Sequence, residues 1–511
     1  MVQIEINEKT TKGHIRPELH SHFIEMLGAC IYDGVWVGEE SEIPNEKGIR
    51  KDFIEAMREI EPPVIRWPGG CYADTYHWRD GIGPKNTRPT RFNENFATYE
   101  LDTNQFGIHE FMDLCKMVGA KPWLNVNMLS GSVQEMKDWM EYCNREAETS
   151  LAKEREKNGS KEPFGVELWG IGNEAWCGGG NYTAAGYAAE YRKYATAAPT
   201  FKTNLMEPSK YPMKMIAVGP DGNKPMERKK WTSDFFDALS EYRNPPLWGM
   251  DLHFYNWNIE HLEDSDLFFE KEGWDRVIEN CFELEEVICE QYELIQEGLK
   301  KIPKPEVAAM GTESGCELCV GEWGNWHGNA FLARPALFQQ VTMRDAVTSA
   351  LTLDIFHRNC QKVSMACVAQ TVNVLNSLFL TEKEKFIKTP NFDVFKMYKV
   401  HRDGELLDIS YEESKEKEAV HVLASIKDEI ISINLVNTSY DENKNVSIHL
   451  PEEFTYLAGQ SLYSEKPQDY NSFENPDKIR AKECEKPILK AGSFEFHLKP
   501  ASVNVVQFAR K

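Results

Sequence analysis

The chain has 511 residues, 41% of them hydrophobic, and a formal net charge of −23. That length exceeds one ordinary core and predicts two domains, one of them large. So acidic a chain excludes nucleic acid and anionic membrane as main partners and suits a protein acting on neutral ligands.

The opening segment, "MVQIEINEKTTKGHIRPELH", has no apolar core of a secretory signal. No run of about 18 apolar residues follows, so no membrane-spanning helix is expected. The chain is therefore read as cytoplasmic. Its twelve cysteines are scattered and read as reduced thiols. Cys316 and Cys319, in "CELC", have no second pair or histidine nearby and are read as buried apolar residues rather than a zinc site.

In chain order, "VQIEIN" (2–7) alternates and is compatible with an edge strand of a later sheet. Eight nearly continuous apolar runs follow: 18–26, 63–70, 121–128, 166–174, 214–222, 247–255, 317–324 and 362–370. Such runs fit parallel strands buried on both faces. Amphipathic helical patterns separate them, at 48–60, 103–119, 183–198 and, the longest, 274–302. The charge run 144–163 is read as a solvated helix and loop. Beyond about residue 400 the texture changes. The stretches 419–451 and 492–509 alternate between turn residues, as an antiparallel β-sandwich does. The prediction is a (β/α)8 TIM barrel over 16–400, a jelly-roll-like sandwich over 401–511, and residues 1–15 as a strand joining that sandwich.

Barrel chemistry sits at the C-terminal ends of the strands. Here those ends are "IEM", "WPGG", "NVNM", "GNEAW", "GPDG", "HFYNW", "GEWGNW" and "AQTVN". Polar groups beside flat aromatic faces suit a carbohydrate pocket. Glu174 ends the fourth run and Glu322 the seventh, facing each other across the mouth. Paired carboxylates are the minimum for glycoside cleavage, although capping or ion-paired glutamates fit the same spacing. Asn173 can donate to a sugar hydroxyl. His253 and Tyr255, two apart on one strand, share a face. Glu25 and Gln370 end the first and eighth runs. Other acids compete: Asp251 shares the His253 face, Asp221 follows "AVGP", and Glu313 and Glu317 lie at the wrong end of the barrel.

The stretches "FIEMLGACIYDGVWVG", "IRWPGGCYADTYHWRDGIGP", "LWGIGNEAW", "DLHFYNW", "VGEWGNWH" and "AQTVNVL" together resemble glycoside hydrolase family 51, the α-L-arabinofuranosidases. The resemblance runs from about residue 18 to 400 and continues weakly beyond. It implies a retaining double displacement with Glu174 as acid/base and Glu322 as nucleophile, and no metal or cofactor. It implies a terminal furanose bound by Glu25, Asn173, His253, Tyr255 and Gln370, with Cys71 at a sugar-binding position and Trp176 on the rim. The implied substrates are arabinose-containing oligosaccharides, and the implied assembly is a homo-oligomer, commonly a hexamer. Departures from the family pattern fall at Met26, Ala29, Met128, Leu129, Gly321 and Cys177, near the rim. They leave open the same chemistry on a β-xyloside, a galactofuranoside or a β-glucan. A catalytically silent sugar-binding barrel is the reading from another class.

Overall fold

The computed structural model describes residues 2–97, 100–204, 207–242, 246–303, 315–411 and 419–511. After a long first strand, β1 (Val2–His14), come eight buried strands: β2 (Ser21–Phe23), β3 (Val64–Trp67), β4 (Lys121–Val126), β5 (Leu168–Ile171), β6 (Lys214–Asp221), β7 (Gly249–Asn258), β8 (Glu317–His327) and β9 (Val363–Val368). They pair in parallel in chain order, and β9 closes on β2 through Cys367 opposite Ser21. Each of the eight apolar runs thus contributes one strand of a closed barrel. Both faces of the strands are covered, which is why the runs do not alternate. Arg66 is the exception in the buried run Val64–Trp67.

Helices cover the outside. They include α1 (Lys51–Ile60), α2 (Ile108–Val118), α3 (Val133–Asn144), α4 (Ser150–Lys157), α5 (Ala184–Ala197) and α6 (Pro225–Leu239). Their starts follow capping chemistry: Ser132 and Thr183 each accept a backbone N–H from the third residue on, at 3.1 Å. The longest helical pattern is two helices, α7 (Lys271–Cys281) and α8 (Glu283–Leu299), meeting at Phe282. The charge run does hold a short helix, α4, but Arg155 within it is buried. Its guanidinium donates to the carbonyls of Tyr142 at 2.6 Å, Arg145 at 2.9 Å and Lys161 at 3.2 Å, so this segment is pinned rather than wholly solvated.

The last two helices are α9 (Met343–Arg358) and α10 (Pro390–Tyr398). A capping box opens α9, with Asp345 accepting from Thr342 N–H at 2.8 Å. Next comes the sandwich: β10 (Glu405–Tyr411), β11 (Val420–Lys427), β12 (Ile430–Asn437), β13 (Lys444–His449), β14 (Phe454–Leu462), β15 (Lys482–Glu483), β16 (Ile488–Lys490), β17 (Ser493–Leu498) and β18 (Ser502–Arg510). The strand order is β15-β14-β18-β12-β11-β10-β1-β13-β17-β16. The first strand is therefore interior, not an edge. It runs antiparallel to β10 and parallel to β13, Val2 lying opposite Val446. Val2, Ile4 and Ile6 enter the sandwich core with Ile433, Val446 and Phe508, so the alternation buries one face of β1 while its hydrogen-bonding edges are both used. The sandwich packs on the barrel through polar as well as apolar contacts: Asn434 Nδ2 donates to Asp354 on α9 at 2.7 Å, and Trp274 Nε1 to the Thr438 carbonyl at 2.8 Å.

Candidate active site

The C-terminal ends of the barrel strands gather one cluster of charged groups. Arg66, fully buried on β3, stands at its centre. It donates to Glu322 Oε1 and to Asn173 Oδ1, each at 2.7 Å, and to the Gly321 carbonyl at 3.3 Å. Phe23 and Trp123 flank its guanidinium at 4.7 and 5.3 Å. A buried charge persists only when paired and hydrogen-bonded, and this one is.

Tyr255 OH donates to the second oxygen of Glu322, Oε2, at 2.7 Å. Glu322 is thus held at both oxygens. His253, one alternation earlier on β7, places Nδ1 2.9 Å from Glu174 Oε1 and 3.6 Å from Glu322 Oε1. Oxygens of Glu174 and Glu322 come within 4.8 Å of each other. Burial opposes charge on His253, but the carboxylates of Glu322 and Asp251 outweigh it and push its pKa up to about 10. The pKa of Glu174 is raised by burial, with His253 opposing and Glu322 and Asp221 reinforcing. One oxygen or nitrogen of each of Glu174, His253 and Glu322 lies within 4.8 Å of the other two.

Glu25 closes the cluster from the first barrel strand. Gln370 Nε2 donates to its Oε2 at 2.7 Å and the Tyr72 backbone N–H to its Oε1 at 2.8 Å. Burial and the Glu322 charge push its pKa up to about 7. Cys71, in the turn after β3, is kept a thiol by burial and by the negative field of Glu174, Glu25 and Glu322. Among the described residues, Asn173 Nδ2 and Gln370 Oε1 are buried with no protein partner. Trp176 sits further out, its Nε1 donating to the Gly219 carbonyl at 3.2 Å.

The local chain explains how Glu174 is delivered. Glu174 itself adopts a positive φ of 38°, which β-branched or bulky residues avoid. The turn is closed by Cys177 N–H to the Glu174 carbonyl at 2.8 Å and Tyr182 N–H to the Ala175 carbonyl at 2.7 Å. At Gly179 a Cβ would lie 1.7 Å from the Asn173 carbonyl oxygen, so only glycine lets the turn fold back there.

Two family models, a curated relative and solved structures show the family. The family model described as the alpha-L-arabinofuranosidase 1 domain matches residues 56–273, and that of the alpha-L-arabinofuranosidase C-terminal domain matches residues 321–502. An intracellular exo-alpha-L-arabinofuranosidase of Bacteroides ovatus is 34% identical over 98% of this chain and 94% of its own length. The crystal structure of the GH51 arabinofuranosidase from Xanthomonas axonopodis pv. citri has a TM-score of 0.88 at 30% identity, covering 99% of this chain and 100% of that one. The chain belongs to glycoside hydrolase family 51. The crystal structure of the α-L-arabinofuranosidase from Thermotoga maritima in complex with arabinose matches with a TM-score of 0.82 at 26% identity, covering 99% of each chain.

Within this family 51 barrel the sequence-derived residues Glu25, Cys71, Asn173, Glu174, His253, Tyr255, Glu322 and Gln370 converge, with Trp176 at the margin. Glu317 begins β8 at the opposite end, 3.4 Å from Arg16. Glu313 lies outside the described residues. Arg66 was not among the sequence candidates, although a lone arginine in an apolar strand, "PVIRWPGG", signals a paired interior charge. Asp74 was also missed: it is buried beside Gly179, and burial raises its pKa well above the carboxylate range. Of the departures, Met26 and Met128 are buried, while Leu129 and Cys177 are exposed. The space beside Gly321 is filled by the carboxylate of Asp251.

Proposed function

We propose that this protein releases terminal α-L-arabinofuranosyl residues from arabinose-containing oligosaccharides by a retaining double displacement. Glu322 attacks the anomeric carbon while Glu174 protonates the departing oxygen. Glu174 then removes a proton from the water that hydrolyses the glycosyl-enzyme. The observation that carries this reading is the pair itself. Oxygens within 4.8 Å suit the carboxyl spacing of retaining enzymes, about 5–5.5 Å, rather than the about 6.5–9.5 Å of inverting ones. Their surroundings differ as the roles require: Glu322 is held by Arg66 and Tyr255, whereas Glu174 is raised by burial.

Glu25, Cys71, Asn173, His253, Tyr255 and Gln370 bind the furanose in this reading, and Trp176 lines the approach. The unpartnered Asn173 amide hydrogens and Gln370 carbonyl support it, because buried polar atoms need partners and sugar hydroxyls supply them. Residues 16–400 form the catalytic unit, and 1–15 with 401–511 its sandwich. The name of the Bacteroides ovatus relative supports a cytoplasmic place and exo action. Assembly into a homo-oligomer, a hexamer as in much of the family, belongs to the same proposal and is read by light scattering.

Azide rescue tests the assignment. Glu322→Ala should abolish turnover, and azide should then yield a glycosyl azide of inverted configuration. Glu174→Ala should spare the first step on substrates with good leaving groups, and azide should give the retained product. Full activity of both variants on an arabino-oligosaccharide would overturn it.

A further inference from the structure

The β7–β8 pair carries a register shift: Leu252 lies opposite Val320, but His253 lies opposite Glu322. Gly321 is the extra residue of that bulge, and bulges re-aim side chains. Its φ is not in the left-handed region, so glycine is not needed there for backbone conformation. Space is the reason. A Cβ at 321 would lie 2.1 Å from Asp251 Oδ1 and 2.5 Å from Oδ2. The Asp251 carboxylate occupies the volume a side chain at 321 would take. From there Oδ2 reaches His253 Nε2 at 3.2 Å and Arg66 Nη2 at 3.6 Å. Asp251 is 7% exposed and His253 5%, so neither contact is weakened by solvent.

We propose that Asp251, seated in the space Gly321 leaves open, is a positioning residue that accepts the Nε2–H of His253 and so turns Nδ1–H onto Oε1 of Glu174. The inference rests on the assignment of Glu174 as the acid/base. With Oε1 already accepting from His253, the proton of Glu174 is confined to Oε2, the oxygen free to face the departing group. In the first step that proton moves from Oε2 to the leaving oxygen. The carboxylate left behind keeps its Nδ1–H partner. In the second step water returns a proton to Oε2. His253 holds both of its protons throughout. The other charged groups around the ring are Glu322 on β8, Asp221 at the end of β6 and Arg66 on β3. Asp251 is the one whose carboxylate lies against Nε2. The high pKa of His253 agrees, since Asp251 is among its causes.

The test is Asp251→Asn, which preserves shape and removes charge. With the charge gone, His253 loses its second proton at lower pH, and a neutral ring no longer draws the Glu174 pKa down. The alkaline limb of kcat/KM should therefore move up by about one pH unit or more. Gly321→Ala should move the same limb with Asp251 still present, because its methyl group displaces the carboxylate. A variant that lowers the rate but leaves the limb in place would show a merely structural role and overturn the proposal, as would unchanged kinetics. A second readout needs no variant and no turnover: 15N spectra of histidine-labelled wild-type protein should show His253 protonated at both nitrogens at pH 8. A neutral ring overturns the proposal. Failure of the azide experiments with a doubly protonated His253 would instead locate the error in the assignment of Glu174.

Discussion

The hydroxyl of Tyr255 donates to Oε2 of Glu322 at 2.7 Å, on the opposite side from the Arg66 contact to Oε1. The phenol and the guanidinium fix the plane of the carboxylate. A hydrogen bond to a charged group contributes about 1.5–3 kcal/mol. Tyr255→Phe should therefore lower kcat by about 10- to 100-fold with a smaller change in KM. Steady-state kinetics on an aryl arabinofuranoside read this directly. An unaltered kcat would mean that Arg66 alone orients the group.

Gly70 approaches Glu322 from the loop after β3, and a Cβ there would lie 2.5 Å from Oε1. Contact with that carboxylate oxygen is the constraint at this position. Gly70→Ala should displace the carboxylate and cost at least about 100-fold in kcat/KM, as misplacement of a reacting group does. Thermal unfolding should change by only a few degrees. A large loss of melting temperature would point to general damage to the loop instead.

Burial raises the pKa of Glu174, so its protonated form persists above the ordinary carboxylate range. The required state is Glu174 protonated and Glu322 ionised. Activity should thus fall on the alkaline side as Glu174 loses its proton. In Glu174→Gln, assayed on a substrate with an activated leaving group, that limb should vanish from the rate of glycosyl-enzyme formation. A surviving limb at the same pH would assign it to another group.

Away from the site, His20, His22, His357 and His401 are buried together between barrel and sandwich. Burial lowers all four pKa values, His22 to about 3 and His401 to about 4. At these four sites the folded state binds fewer protons than the unfolded chain below the ordinary histidine value of about 6.5, so their contribution to stability falls as pH drops from there. Groups with raised pKa values act in the opposite sense, among them Asp354 and Glu25, each pushed up to about 7. Both ring nitrogens of His22 are without a protein partner among the described residues. His22→Phe should therefore remove about 2 kcal/mol of the stability lost between pH 7 and pH 5. Denaturant melts of both proteins at the two pH values give the comparison. Equal losses would show that His22 is not a source of the acid sensitivity.

Much of this was legible in the linear chain. Eight strands buried on both faces leave eight apolar runs, and the barrel rule then places Glu174, Glu322, His253, Tyr255, Glu25 and Gln370 at one mouth. A strand with one buried face also announces itself, and the alternation of "VQIEIN" ties it to the sandwich. Its interior place was not legible, because alternation reports which face is buried and says nothing about what pairs with either edge. The same limit hid the split of 274–302 at Phe282 and the burial of Arg155, whose partners are backbone carbonyls that no side-chain pattern reveals.

Fold class and the residues that reach the mouth follow from periodicity and from the order of strand ends, and both can be read from the linear chain. How those residues are charged and held depends on contacts between strands distant in sequence. Arg66 meets Glu322 and Asn173 from strands far apart in the chain, and Asp251 fills the space of a side chain that Gly321 lacks. Electrostatic environment depends on distances across the barrel of a few ångströms, and a one-residue bulge changes those distances without leaving a periodic trace.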